Sequence, residues 1–363
     1  MLYRNNNFDF LRFFAASVVL FSHCYPLTGH QGAEPIAAIT GIDSGGGLAV
    51  AVFFVISGYL ITGSYINSKN IADYVVKRVL RLFPALTVCV ILTILVLGPA
   101  LTTLPFREYL RHPFTHAYWS NIWLFISYPL PGVFEANVYP NVMNGSLWTL
   151  PVEVLMYAIV LVMGIVRALN TRAMAVFLGV CWLLYFRIVP AFDLQSTILL
   201  EDFPVAETAK LACFYFGGAL LYMHSRDNLK SIDVAVLAIF AIIATRGANA
   251  QQAAYVMLGA VIVITFAFVS LGPIGRFGKY GDVSYGLYIY AFPIQQLVVM
   301  VWGNSITPTQ LFTASYPMTL LAAFCSWHLV EKRAIAAKGS RPFQALVGAW
   351  SAIGIRHKRS LRR

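Results

Sequence analysis

The sequence predicts an all-α integral membrane protein of about ten transmembrane helices, with the N- and C-termini in the cytoplasm. Three observations carry that expectation. The 363-residue chain is 59% hydrophobic and only 11% charged, with a mean hydropathy of +0.70, too apolar for the surface of a soluble domain. Its apolar residues gather in runs close to the ~20 residues that a helix needs to cross a bilayer. Basic residues collect in alternate loops between the runs, the asymmetry that sets orientation.

In chain order the runs are 8–26, 46–66, 83–103, 147–166, 174–190, 209–223, 232–246, 252–271, 284–303 and 311–330. The first is too long and too polar inside for a cleaved leader, and reads as the first span of the mature protein. Lys69, Lys77, Arg78 and Arg81 fill the second loop, Arg167 and Arg172 the fourth, Arg226 and Lys230 the sixth, and Arg276 and Lys279 the eighth. With the tail "RHKRSLRR" they all fall on one face. Loops 27–45 and 191–208 carry Glu34, Asp43, Asp193, Glu201, Asp202 and Glu207 without a Lys or Arg, as the opposite face requires. Segment 118–130, "YWSNIWLFISYPL", reads as interfacial or re-entrant within a long outer loop, 104–146, because counting it as a span would reverse every later loop. Residues 1–335 thus form one transmembrane domain. Residues 336–363 form a basic cytoplasmic tail whose apolar patch "FQALVGAWSAIGI" suits the membrane surface.

The net charge of +11 is explained by loop topology and contact with anionic membrane lipid, so no nucleic-acid partner is expected. Five single cysteines (Cys24, Cys89, Cys181, Cys213 and Cys325) show no CxxC spacing and read as buried thiols, with no metal site.

An ionisable side chain within a span costs on the order of 3 kcal/mol at the centre, so each is a functional suspect. The first run holds Asp9, Arg12 and His23. Arg12 can snorkel or pair with Asp9 at i,i+3, and a histidine near a helix end can be a satisfied core residue. Eleven residues at about 100° each, however, bring Arg12 and His23 to one helix face roughly 16 Å apart. In the second run, Ser57 and Gly58 sit at mid-membrane, where a small pair permits close helix approach. Arg78 and Arg81, three apart in "YVVKRVLRLFP", are either orientation signals or a fork for phosphate. In "NGSLWTLPVEVLMY", Trp148 reads as an interfacial anchor, whereas Glu153 has no cation within reach on its own span and needs a partner from another helix. His23 at the same depth is one such partner.

Together these stretches resemble the acyltransferase-3 family of membrane-bound O-acyltransferases, which modify bacterial envelope and exported carbohydrates. The resemblance lies in "DFLRFFAASVVLFSH" (Arg, ten residues, His), "FFVISGYLI" (FFxxSG), "KRVLRLFP" (RxxR), "SLWTLPVEVLMY" (WSLxxE), "SYGLYIYAFP" (SYxxY) and "LVEK", in family order from Asp9 to about Lys332. One position departs from the pattern: Ala291 stands where many members have a late-helix histidine.

The resemblance implies ten helices around an acyl-transfer cavity or tunnel, an acyl-CoA donor (commonly acetyl-CoA) from the cytoplasm, and an acceptor hydroxyl on a polysaccharide or lipid-linked sugar beyond the outer face of the inner membrane. On that reading Arg12, Arg78 and Arg81, with Ser57, hold the donor, and the pantetheine arm runs along the first helix. His23 is the general base, supported by Glu153. Ser57, Tyr285 or Tyr288 supplies an oxyanion donor, and Trp148 joins them as a substrate candidate. The aromatic residues of the outer loop (Tyr118, Trp119, Trp123, Tyr128 and Tyr139) suit either sugar stacking or a membrane-interface belt. A transporter or flippase of lipid-linked sugars is the alternative from another class, but the internal repeat with paired broken helices expected of it is not found.

Overall fold

The computed structural model describes residues 6–199, 203–224, 232–247, 250–270, 272–340, 342–345 and 348. Arg226, Lys230, Glu201, Asp202 and the basic tail from 349 onward lie outside the described residues. Each of the ten apolar runs overlaps a helix: α1 (Phe8–Leu27), α2 (Gly45–Ile66), α3 (Ile71–Leu92), α4 (Thr149–Ile165), α5 (Thr171–Leu183), α6 (Val205–His224), α7 (Ile232–Ala244), α8 (Ala250–Phe268), α9 (Ser284–Trp302) and α10 (Pro308–Ser326). Among the described residues, six helices are long and apolar enough to cross a membrane: α1, α2, α8, α9, and α3 and α5 with their continuations to Leu101 and Ala191. Large apolar side chains such as Val176, Leu237, Phe240, Val301 and Leu321 stand exposed on the helices. A soluble protein would bury them; a lipid-facing surface displays them. The chain is a multi-pass membrane protein.

Helix starts follow their caps. The Ser44 side chain accepts from the Gly47 amide at 3.0 Å to begin α2. Asn70 accepts from the Asp73 amide at 2.9 Å to begin α3, and Thr307 and Gln310 form a capping box on α10. The Asn70 cap moves the start of α3 well before its apolar run. Lys77, Arg78 and Arg81 therefore lie on the helix itself rather than in a connecting loop, and their positions are set by helical phase.

At the centre, α2 packs against α1, α6 and α4, while α9 lies against α1 and α10. The α2–α6 contact is backbone on backbone. A Cβ on Gly58 would stand 1.8 Å from the Tyr215 carbonyl oxygen, and one on Gly218 would stand 2.1 Å from that of Val55. Gly58 is thus a packing residue, as its small size suggested. Because backbone cannot yield as a side-chain tip can, Gly58→Ala is expected to destabilise by about 3 kcal/mol, read as a lower thermal unfolding midpoint of the purified protein.

Segment 118–130 forms the end of a short helix, a 3-10 turn at Trp119–Trp123 and an extended stretch, with no helix of membrane length. Segment 104–146 is nevertheless tied down over α9. Asn144 donates to the Ile289 carbonyl at 2.8 Å, Asn137 donates to that of Gln296 at 2.9 Å, and Gln296 donates to Val142 at 2.9 Å. A two-residue antiparallel pairing of Ile198–Leu199 with Phe203–Pro204 is the one departure from all-α structure among the described residues.

Candidate functional site

Both ends of α1 open onto cavities, and the two cavities adjoin. The first, with an empty volume of about 640 Å³, is lined by Arg12, Ser57, Arg81, Glu153, Tyr157 and Tyr285 among others. The second, of about 950 Å³, is lined by His23, Ser146, Trp148, Asp43, Glu207 and Lys210 among others. Val50 and Tyr288 stand in the walls of both. The same-face spacing of Arg12 and His23 is thereby realised as one residue per cavity.

At the Arg12 end the arginines are not bare charges. Arg12 Nη1 lies 3.1 Å and Arg81 Nη2 2.5 Å from the same oxygen of Asp282, and Arg81 Nη1 lies 3.0 Å from Glu331 Oε2. Arg12 therefore pairs with Asp282, in the loop before α9, and not with Asp9 at i,i+3. Burial alone would lift the Asp282 carboxyl, but the Arg81 and Arg12 guanidiniums and the bonds from Ser284 outweigh it and hold it below the usual carboxylate range. A depressed folded value means that this stabilisation is present at neutral pH and is lost only as acid protonates the carboxylate.

Arg78 stands apart from the Asp282 network. Its guanidinium lies 5.9 Å from the Tyr157 ring centroid and 3.4 Å from Ser64 Oγ, and no carboxylate among the described residues pairs with it. Its Nε is buried without a partner. The three-arginine mouth is thus two neutralised guanidiniums and one held by an aromatic face.

Between the cavities, Ser57 Oγ donates to Glu153 Oε1 at 2.8 Å, and the Tyr157 hydroxyl donates to the same oxygen. These are the cross-helix and i,i+4 partners that the Glu153 carboxylate needed, and neither is His23. The expected Glu153–His23 contact is corrected: the two side chains line different cavities. Glu153 turns instead to Ser57 of α2 and Tyr157 of its own helix, and the cross-helix partner is one that no spacing in the α4 sequence reports. Tyr157 and Asp282, absent from the sequence reading, had weak signals: a tyrosine one turn after a buried acid, and an acid among bases in "GRFGKYGD".

Tyr285 lies beneath Arg81, at 5.6 Å from guanidinium carbon to ring centroid, and donates to the Leu82 carbonyl at 3.0 Å. Tyr288 shares a 2.7 Å hydrogen bond with Thr149. Both hydroxyls are therefore occupied, and Tyr288 is the one that faces both cavities.

At the far end, His23 makes an edge contact with Phe292 at 5.3 Å, and its Nδ1 is buried with no partner among the described residues. Trp148 lines this cavity instead of serving only as an interfacial anchor, whereas Tyr118, Trp119, Trp123, Tyr128 and Tyr139 line neither cavity. Ala291, in the late-helix position, is buried in the cluster with Leu20 and Cys24. The thiols are free, with Cys325 exposed and the other four buried, and no group of metal-ligating side chains occurs among the described residues.

The interior of this helical multi-pass membrane protein thus carries arginines at one cavity and a histidine at the next, where ionisable groups are costly to hold without a role. The sequence comparisons name the class. The acyltransferase-3 family, described as "Acyltransferase domain", matches residues 5–328. The chain belongs to this family and is an O-acyltransferase.

Among curated relatives, it is 34% identical over 340 residues to an O-acetyl transferase of Shigella phage Sf6, covering 92% of this chain and 96% of the relative. It is 28% identical over 360 residues to nodulation protein 10 of Rhizobium leguminosarum bv. viciae, covering 91% and 93% respectively. It is also 25% identical over 337 residues to the O-acetyltransferase OatA of Staphylococcus aureus, covering 84% of this chain but 55% of that protein. No solved structure gives a significant match.

Proposed function

We propose that the protein transfers an acetyl group from cytoplasmic acetyl-CoA to a hydroxyl of a carbohydrate, an exported polysaccharide or a lipid-linked sugar, at the outer face of the bacterial inner membrane. The observation that carries this reading is the pair of adjoining cavities along α1, one with Arg12 and Arg81, the other with His23. The relatives named as O-acetyl transferases support the choice of acetyl. All ten helices span the membrane in this reading, and the termini and the Arg12 end face the cytoplasm, following the alternation of basic loops.

The diphosphate or 3'-phosphate of the donor meets Arg12, Arg81 and Arg78, whose guanidinium donors suit phosphate oxygens. The thin pantetheine arm passes Ser57 and Glu153 and brings the thioester to the wall shared at Tyr288 and Val50. His23 accepts the proton of the acceptor hydroxyl as that oxygen attacks the thioester carbonyl. The carbon–sulfur bond then breaks, and the proton passes to the departing thiolate. Tyr288, which lines both cavities, is the candidate oxyanion donor if its hydroxyl accepts from Thr149 and so keeps its own proton free.

Glu153 favours the imidazolium through its field alone, because its own hydrogen bonds go to Ser57 and Tyr157. Glu153→Gln is accordingly expected to lower the rate only about tenfold, well short of the loss expected for a base. Steady-state acetyl transfer measures this, and a loss as large as that of a His23 variant would restore a direct partnership. The reading as a whole is tested with the purified full chain in lipid nanodiscs and radiolabelled acetyl-CoA: His23-dependent release of CoA supports it, and none sinks it.

A further inference from the structure

We infer that the His23 cavity is an acceptor subsite built for an uncharged, hydroxyl-rich sugar unit, and that it discriminates against acceptors bearing a carboxylate on that unit. The inference rests on the acyl-transfer reading and adds to it the chemical class of the acceptor.

The polar wall of the cavity is a three-member ionic cluster drawn from distant parts of the chain. Lys210 Nζ of α6 lies 2.9 Å from Asp43 Oδ2 and 2.7 Å from Glu207 Oε2, with the lysine side chain 8% exposed. Glu34 lines the same cavity, but its oxygens are used by the Ala37 and Gly45 amides at 2.5 and 3.2 Å. Three carboxylates thus face one ammonium, and that ammonium already has two carboxylate partners. The lining is net negative, so an incoming anion meets like charge there. A sugar hydroxyl is a donor, and the Asp43 and Glu207 carboxylates retain lone pairs to accept it.

The cluster does not stand alone. Ser146 and His23 also line the cavity, and neither Ser146 Oγ nor His23 Nδ1 has a hydrogen-bond partner among the described residues. Trp148, with Val19, Pro26 and Leu211, offers the apolar counterpart for the C–H face of a sugar ring.

The experiment uses the full chain in nanodiscs with radiolabelled acetyl-CoA and two probe acceptors, methyl β-D-glucopyranoside and its C6 carboxylate, methyl β-D-glucopyranosiduronate. The neutral glycoside is expected to be acetylated with a kcat/KM about tenfold or more above that of the uronate. Glu207→Gln leaves Lys210 paired with Asp43, and the Glu207 side chain is already 45% exposed, so folding should survive. It is expected to shrink that ratio about threefold or more by freeing part of the ammonium charge. Equal use of both glycosides, an unchanged ratio in Glu207→Gln, or acetylation of neither while His23-dependent CoA release persists would overturn the inference. Absence of CoA release in the parent protein would instead overturn acyl transfer itself.

Discussion

Replacing His23 with alanine is expected to reduce acetyl transfer by about 10³-fold while leaving the protein inserted and folded. The rate loss follows from removing a general base, a contribution of about 10²–10⁴, with no second histidine at Ala291 to take over. The small effect on stability follows from the contacts. His23 Nδ1 has no hydrogen-bond partner among the described residues, and the ring wall it forms already borders an open cavity. Truncation therefore removes the edge contact with Phe292 but breaks no polar network. Transfer at the parental rate by a normally inserted His23→Ala protein would exclude the imidazole from the chemistry. His23→Gln, which keeps a hydrogen-bonding side chain without a comparable base, should be as inactive as the alanine variant.

Arg81→Ala is expected to raise the KM for acetyl-CoA by about 10- to 100-fold, the loss of one or two charge-assisted hydrogen bonds to phosphate. A structural explanation competes here, because Arg81 also neutralises Glu331, which is 1% exposed, and shares Asp282 with Arg12. Removing one partner of such a buried pair costs about 3–5 kcal/mol on its own. The double variant Arg81→Ala/Glu331→Gln separates the two. It removes the orphaned carboxylate and should recover most of the thermal stability, while the raised KM persists if Arg81 binds the donor. Recovery of both would make Arg81 a purely structural cation.

The length of chain needed to reach across a bilayer made the helices legible, and a regular repeat of 100° per residue made the common face of Arg12 and His23 legible as well. Of the residues singled out in the sequence, Arg12, Ser57, Arg81, Glu153, Tyr285 and Tyr288 line one cavity, His23, Trp148 and again Tyr288 the next, and Arg78 lines neither. Partners were not legible. Glu153 finds Ser57 from α2, and Arg12 finds Asp282 from a loop 270 residues away in the chain. The Lys210 cluster was hidden for the same reason: Lys210 and Asp43 are separated by 167 positions. In the sequence Asp43 and Glu207 read only as outer-loop acids, and Lys210 carried no reading.

Hydropathy and charge placement along the chain are sufficient for the multi-pass helical architecture, because lipid forces each segment to satisfy its own backbone and to carry its own apolar surface. They are sufficient, too, for the separation of Arg12 from His23, since both ride on one rigid helix. Which groups meet across helices is decided by rotation and by how closely the axes approach. Here Gly58 and Gly218 bring the α2 and α6 backbones into contact. Glu153 belongs with Ser57 and Tyr157, and His23 is left facing a different cavity, because those rotations are set by packing among residues far apart in sequence, which no local spacing encodes.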